Sequence, residues 1–240
     1  MSAPETLLEV SQLDVAYGSI QVLWGVSMDV YSRELVALIG SNGAGKSTLM
    51  AAIANLLPWK GGDVLYRGQS VSGFSSQETV GLGIALIPQG RHLFAGMSVL
   101  ENLMMGAYLR TDGEGIASDL ENIFSLFPVL EKRRHQDSGK LSGGEQQMCA
   151  IARGLMSRPS LLVIDELSLG LSPFLVDSLY KSVKEINQEG TTMLLVEQDV
   201  QLALESSERA YVMEGGRIAG CGRSGDLLQD ESIRSTYLGL

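Results

Sequence analysis

The sequence predicts an α/β domain built around a phosphate-binding loop, and three observations lead there. An apolar run, Leu35-Val36-Ala37-Leu38-Ile39, reads as a buried strand and feeds directly into Gly40-Ser41-Asn42-Gly43-Ala44-Gly45-Lys46-Ser47-Thr48. A helical pattern follows from residue 46 to about 57. Further apolar runs at 83–88, 161–164 and 191–196 alternate with helical patterns, as in a core sheet flanked by helices.

The loop fits G-x-x-x-x-G-K-[ST] at Gly40, Gly45, Lys46 and Ser47. Each position has a physical reason. Glycines let the backbone curl and bring successive N–H groups close to a phosphate, where a Cβ would obstruct. The helix N-terminus adds positive dipole at the same place. Lys46 can reach β- and γ-phosphates, and the Ser47 hydroxyl can hold Mg²⁺. Residues 40–48 are therefore the candidate nucleotide site.

The chain has 240 residues, 45% of them apolar, which suits one large domain with a sizeable core. The net charge of −10 argues against a nucleic-acid partner and against direct docking on anionic lipid. Cys149 and Cys221 are far apart, and no Cys/His metal spacing occurs. Cys149 lies in a helical pattern and reads as a buried reduced thiol; His92 and His135 read as surface or packing residues. Residues 1–6 lack a leader pattern, and no run approaches a membrane span, so the expected compartment is the cytoplasm.

In chain order, two extended segments, 7–15 and 21–30, precede the loop and suggest a small β subdomain, with a break at Ala16-Tyr17-Gly18. Tyr17 can stack on an adenine or pack as a strand-end aromatic. A short strand is expected at 63–66, a helix at 77–81 and a buried strand at 83–88. Gln89 stands just beyond that strand, where parallel sheets bind ligands. Ser98 and Glu101 form a capping box for a helix to about 109; residues 111–115 form a linker, and helices follow at 116–127 and about 129–135. Leu141-Ser142-Gly143-Gly144-Glu145 opens another helix, to about 156, with Ser142 at the N-cap. The strand at 161–164 ends in Asp165-Glu166, an acidic pair placed to orient Mg²⁺ and to polarise an attacking water. A helix is expected from Pro173 to about 188, a buried strand at 191–196 ending at Glu197-Gln198-Asp199, and a helix to about 205. A hairpin is expected around Gly215-Gly216, and short helices beyond 225.

Phosphate loop, LSGGE at 141–145 and the Asp165-Glu166 strand end, in this order, resemble the ATP-binding subunits of ABC transporters over nearly the whole chain. The resemblance implies a P-loop NTPase core of the ABC type, with an N-terminal antiparallel β subdomain. The core would comprise about 1–89 and 158–240, and a helical subdomain about 90–157. It implies ATP and Mg²⁺ as cofactors, and a head-to-tail dimer of two ABC ATPases, homo- or heteromeric. Tyr17 then resembles the adenine-stacking aromatic, and Gln89 the glutamine near Mg²⁺ and the attacking water. Ser142, Gly143 and Gly144 resemble the segment that binds the partner's ATP, and residues 168–171 the loop crossing the interface. Lys46, Gln89, Glu166 and Gln198 form the implied catalytic set, and Ser47, Gln89 and Asp165 the metal set. Leu167 stands where the family usually has proline, and Gln198 where it usually has histidine.

The finer resemblance is to the smaller ATPase of branched-chain amino acid importers. It rests on Ile87-Pro88-Gln89-Gly90-Arg91, Ser168-Leu169-Gly170-Leu171-Ser172-Pro173, Val196-Glu197-Gln198 and the ending Tyr237-Leu238-Gly239. It implies permease subunits, an external solute-binding protein and a place on the inner face of the cell membrane. Urea or short-amide importers share much of the pattern, and a soluble ABC ATPase outside transport is the other alternative.

Overall fold

The computed structural model describes residues 5–238. Residues 1–4 of the expected leaderless start, and Gly239 of the ending, lie outside the described residues. β1 (Thr6–Tyr17) and β2 (Ile20–Tyr31) form an antiparallel hairpin. β3 (Leu35–Ile39) leads through the glycine loop into α1 (Lys46–Ile53). β4 (Gly61–Tyr66), β5 (Gln69–Ser70), α2 (Ser76–Leu82) and β6 (Ile84–Ile87) follow. Between β6 and the next strand lie the helices α3 (Val99–Gly106), α4 (Gly113–Leu126), α5 (Pro128–Lys132) and α6 (Gly143–Leu155). The chain then alternates: β7 (Leu161–Asp165), α7 (Pro173–Gln188), β8 (Thr192–Glu197), α8 (Val200–Ser206). It closes with β9 (Arg209–Glu214), β10 (Arg217–Arg223), α9 (Ser224–Leu227) and α10 (Glu231–Ile233).

The strands make two sheets. The smaller is antiparallel, in the order β2-β1-β4-β5. The larger runs β10-β9-β3-β8-β7-β6, parallel from β9 to β6 with β10 as an antiparallel edge. β3, β7 and β8 are buried at every position, which explains their unbroken apolar runs. Their side chains alternate between the two faces of the sheet, and Ala37 and Ile39 of β3 join a third cluster with Val200 and Val212. Val36, Leu38, Val163 and Val196 face α1 and the smaller sheet. Leu35, Leu162, Ile164 and Leu195 face a second core with Leu103, Phe124, Ile151 and Val183.

Several boundaries differ from expectation. β1 runs through Ala16 and Tyr17, and the turn begins at Gly18 (φ +61). α1 stops at Ile53, not near 57. Asn55 turns left-handed (φ 53), and its amide donates to the Val71 carbonyl and the Thr79 hydroxyl. α3 ends at Gly106, and α4 begins at Gly113 inside the expected linker. The turn between them is held by Arg110, which donates to Asp112, Asp119 and the Met156 carbonyl. Both expected capping residues, Ser98 and Ser142, form capping boxes.

Arg209 ties the two sheets together. Its guanidinium donates to both Glu34 carboxylate oxygens at 2.8 and 2.9 Å, and to the Asp29 carbonyl at 2.8 Å. It also lies 4.7 Å from the Tyr31 ring centre and 5.0 Å from that of Tyr211. Replacing it with leucine strands Glu34, nearly buried, without its cation. Arg209→Leu is expected to lower the unfolding free energy by about 3 kcal/mol. Urea unfolding followed by circular dichroism checks this; an unchanged midpoint would refute it.

Candidate active site

The glycine loop forms where β3 must reverse into α1 within a few residues. Gly45 caps α1 at φ +106, and a Cβ there would sit 2.8 Å from Leu23 Cδ2 and 3.1 Å from Met213 Cε. Gly43 is also left-handed (φ +79), but a Cβ on it would meet only open space. The loop is therefore packed from below and open above. Lys46 is buried, and its Nζ donates to the carbonyls of Gly40 at 2.7 Å and Ser41 at 3.1 Å. Burial lowers its pKa, while Glu166, Asp165 and Glu197 pull the other way.

Asp165 ends β7 and is buried, with Oδ1 lacking any hydrogen-bond partner. Burial pushes its carboxyl above the usual range; the Ser47 hydroxyl and Lys46 oppose this, and Glu166 adds to it. An unpartnered carboxylate oxygen beside a serine hydroxyl and a phosphate loop fits a hard cation such as Mg²⁺. Glu166 follows in the left-handed region (φ 54), and its N–H donates to the Val196 carbonyl at 2.9 Å. The amides of Gln89 and Gln198 each donate to one of its carboxylate oxygens. Leu167, in the usual proline position, is fully buried in the second core.

A cleft of about 370 Å³ gathers these groups, apart from the buried Asp165 and Leu167, which do not line it. Asn42, Gly43, Gly45, Lys46, Ser47 and Thr48 line one side, with Gln89, Glu166, Gln198 and Val22 around them. Gly40, Ser41 and Ala44 do not line it; the first two supply the carbonyls under Lys46, and Ala44 is buried. Tyr17 stands half-exposed at the end of β1, outside the lining. Ser142, Gly143 and Gly144 are also outside it, at the N-terminus of α6. There Ser142 is exposed, Gly144 packs towards Leu175, and Glu145 pairs with Arg133 at 2.8 Å. A larger cavity, about 520 Å³, lies between α4 and α7 and holds none of the motif residues.

Sequence reasoning gave no role to three groups near the site. Arg91, next but one after Gln89, donates to Gln146 on α6. Arg153 of α6 donates to the carbonyls of Arg91 and His92. Glu197 is buried behind Gln198, and its signal was an acid closing an otherwise apolar strand. Cys149 is buried with a free thiol, which burial pushes up to about 11.

A sequence profile of the ABC transporter family matches residues 23–168, more than half of the chain. The chain belongs to that family. It is 40% identical to the high-affinity branched-chain amino acid transport ATP-binding protein BraG of Pseudomonas aeruginosa, across 97% of this chain and 100% of that protein. It is 33% identical to the probable branched-chain amino acid transport ATP-binding protein LivF of Archaeoglobus fulgidus, across 98% and 99%. The lipopolysaccharide export ATP-binding protein LptB of Escherichia coli K12 is 30% identical across 97% of each chain. Among solved structures, an ABC transporter ATP-binding cassette in its ADP conformation superposes with a TM-score of 0.87, at 27% identity, over 98% of this chain and 99% of that one. The fold is that of an ABC ATPase cassette, and the chain is an ATP-hydrolysing member of the family.

Gly45→Ala tests the loop geometry. The new methyl group meets Leu23 in a backbone conformation that alanine disfavours. The variant is expected to lose about 1–3 kcal/mol of stability and at least about tenfold in ATP affinity. Unfolding curves and titration with a fluorescent ATP analogue measure the two; wild-type behaviour in both would overturn the packing argument.

Proposed function

We propose that this chain is the ATPase subunit of an importer for branched-chain amino acids. One observation carries the hydrolytic part. Glu166, Gln89 and Gln198 come from three separate strand ends and converge on the phosphate loop. The substrate class rests on the full-length likeness to BraG and, at lower identity, to LivF.

In this reading the loop amides and Lys46 hold the phosphates of ATP, and Tyr17 stacks on the adenine. Ser47, Asp165 and Gln89 hold Mg²⁺, which neutralises phosphate charge when bound. Glu166 polarises the attacking water, and Gln89 and Gln198 fix its carboxylate. Gln198 also offers an uncharged amide to the γ-phosphate, a contact without the titration a histidine would bring. Ser142, Gly143 and Gly144 serve the ATP of a second ABC ATPase, so the catalytic unit is a pair, homo- or heteromeric.

The domain division follows the same logic. Residues of about 1–89 and 158–240 form the nucleotide-binding core, and about 90–157 the helical part that meets the permease. Phe94, Met104, Met105, Tyr108 and Leu109 on that part are exposed and apolar, which suits a protein partner. No helix among the described residues is long and apolar enough to cross a membrane. Attachment to the inner face of the membrane would therefore run through the permease, with the solute-binding protein acting indirectly and no nucleic acid involved.

Glu166→Gln keeps the shape of the side chain and removes its charge. ATP affinity is expected to stay within about threefold while turnover falls about 10²- to 10⁴-fold. Steady-state phosphate release with a parallel nucleotide titration measures this, and unchanged turnover would remove Glu166 from its role. For the substrate, deletion of the gene is expected to abolish uptake of labelled leucine and leave urea uptake intact. Loss of urea uptake alone would assign an amide importer. Intact uptake of both with impaired lipopolysaccharide export would assign the role of the LptB relatives.

A further inference from the structure

Glu197 is the last residue of β8, and only 1% of it is exposed. Its carboxylate accepts four hydrogen bonds, all from neutral donors. Oε1 takes the Ser168 N–H at 3.0 Å and the Tyr180 hydroxyl at 2.9 Å. Oε2 takes the Ser168 hydroxyl at 2.9 Å and, at 3.3 Å, the Gln198 N–H. Burial pushes its carboxyl above the usual range, and the bonds from Tyr180, Ser168 and Gln198 oppose this. An apolar side chain would fill a strand end in this core more cheaply than a carboxylate. The acid is thus costly where it stands, and its bonds identify what it holds.

Those bonds complete a ring. From Glu166 the backbone runs through Leu167 to Ser168. Ser168 donates twice to Glu197, whose neighbour is Gln198. The Gln198 amide returns to the Glu166 carboxylate. Within the ring Glu166 holds a left-handed backbone that a residue with a Cβ adopts only when its surroundings over-determine it. Tyr180 bonds Glu197 from α7 but stands outside the ring.

We propose that Glu197 is a positioning residue for ATP hydrolysis, locking Ser168 and Gln198 so that Glu166 is held over the phosphate loop. The inference rests on the reading of Glu166 as the group that acts on the attacking water. Ser168 also begins the turn proposed to cross to the second ATPase. Glu197 therefore links the state of that interface to the aim of Glu166.

Glu197→Gln separates the bonds. Its carbonyl oxygen can still accept from Ser168 N–H and Tyr180, and its amide can donate to a rotated Ser168 hydroxyl. The amide cannot accept from the Gln198 N–H, so the side chain no longer fixes Gln198 while Ser168 stays held. Tyr180→Phe is the control: it removes one bond to the same carboxylate and leaves the ring closed. The full chain is assayed for kcat, KM for ATP and thermal midpoint in the wild type, Glu197→Gln, Tyr180→Phe and Glu166→Gln. Glu197→Gln is expected to lower kcat about tenfold or more with KM within about twofold, whereas Tyr180→Phe keeps kcat within about twofold at a comparable loss of midpoint. If both variants lose kcat equally, in step with their midpoints, Glu197 is only structural and the proposal fails. It also fails if Glu197→Gln turns over like the wild type while Glu166→Gln is inactive. Turnover by Glu166→Gln itself would instead overturn the reading of Glu166. If Glu197→Gln does not fold, Ser168→Ala, which removes one bond of the ring, takes its place with the same expectation against Tyr180→Phe.

Discussion

The parallel pairing of β3, β8, β7 and β6 is the constraint on which the site depends. Ile39 lies opposite Glu197, Val196 opposite Asp165, and Ile87 opposite Ile164. The four strands therefore end along one edge, and the next residues of each arrive together: Gly40, Gln198, Glu166 and, one past Pro88, Gln89. The Glu166 N–H bond to the Val196 carbonyl carries the β7–β8 ladder one step beyond β7. A slip of one residue would turn every side chain of a strand to the other face, exchanging the two cores. β3, β7 and β8 are buried on both faces, so a slip would be resisted by misfit of side-chain shapes in the cores, and that packing sets the positions of the cleft's polar groups.

The same edge buries charge, and its hydrogen bonds show how that is tolerated. Lys46 holds its ammonium on two carbonyls of its own loop. A phosphate is a stronger acceptor than a carbonyl, so in the proposed nucleotide complex Lys46 would exchange partners around a loop already folded. Asp165 keeps one oxygen without a partner, and a cation would complete it. Glu166 has each carboxylate oxygen bonded to a glutamine amide. In the proposed reaction each oxygen would keep a second lone pair for water, and the two amides would set the direction in which it points.

The parts of this structure legible in sequence were those set by local chemistry. The apolar runs became β3, β7 and β8, the capping serines cap their helices, and the glycine loop joins strand to helix. The parts that were not legible depend on distant partners. α1 stops early because Asn55 finds Val71 and Thr79, neither of which its neighbours announce. The turn that starts α4 is set by Arg110 reaching forward to Asp119 and the end of α6. Partnership of β4 with β1 across the loop and helix between them needed the register itself. Within the site, residues Lys46, Ser47, Gln89, Glu166 and Gln198 were legible as motifs. The bonds from Gln89 and Gln198 to Glu166 were not, because they join side chains 77 and 32 residues apart.

The two cores explain why Ser142, Gly143 and Gly144 stand away from the cleft. The loop belongs to α1, which packs through Leu49 and Ile53 on the face of the sheet carrying Val36 and Val163. α6 packs through Cys149 and Ile151 on the opposite face, with Leu162 and Ile164. Bringing residues 142–144 over the loop of the same chain would require α6 to leave that core, at a cost set by several fully buried apolar side chains, each about 1.5–3 kcal/mol. A second copy or relative can present the segment without breaking either core. The proposed catalytic unit of two chains is thus the arrangement that leaves both hydrophobic cores intact, and Glu197, bonded both to the first residue of the crossing turn and to Gln198, stands where closure of such a pair would be felt by Glu166.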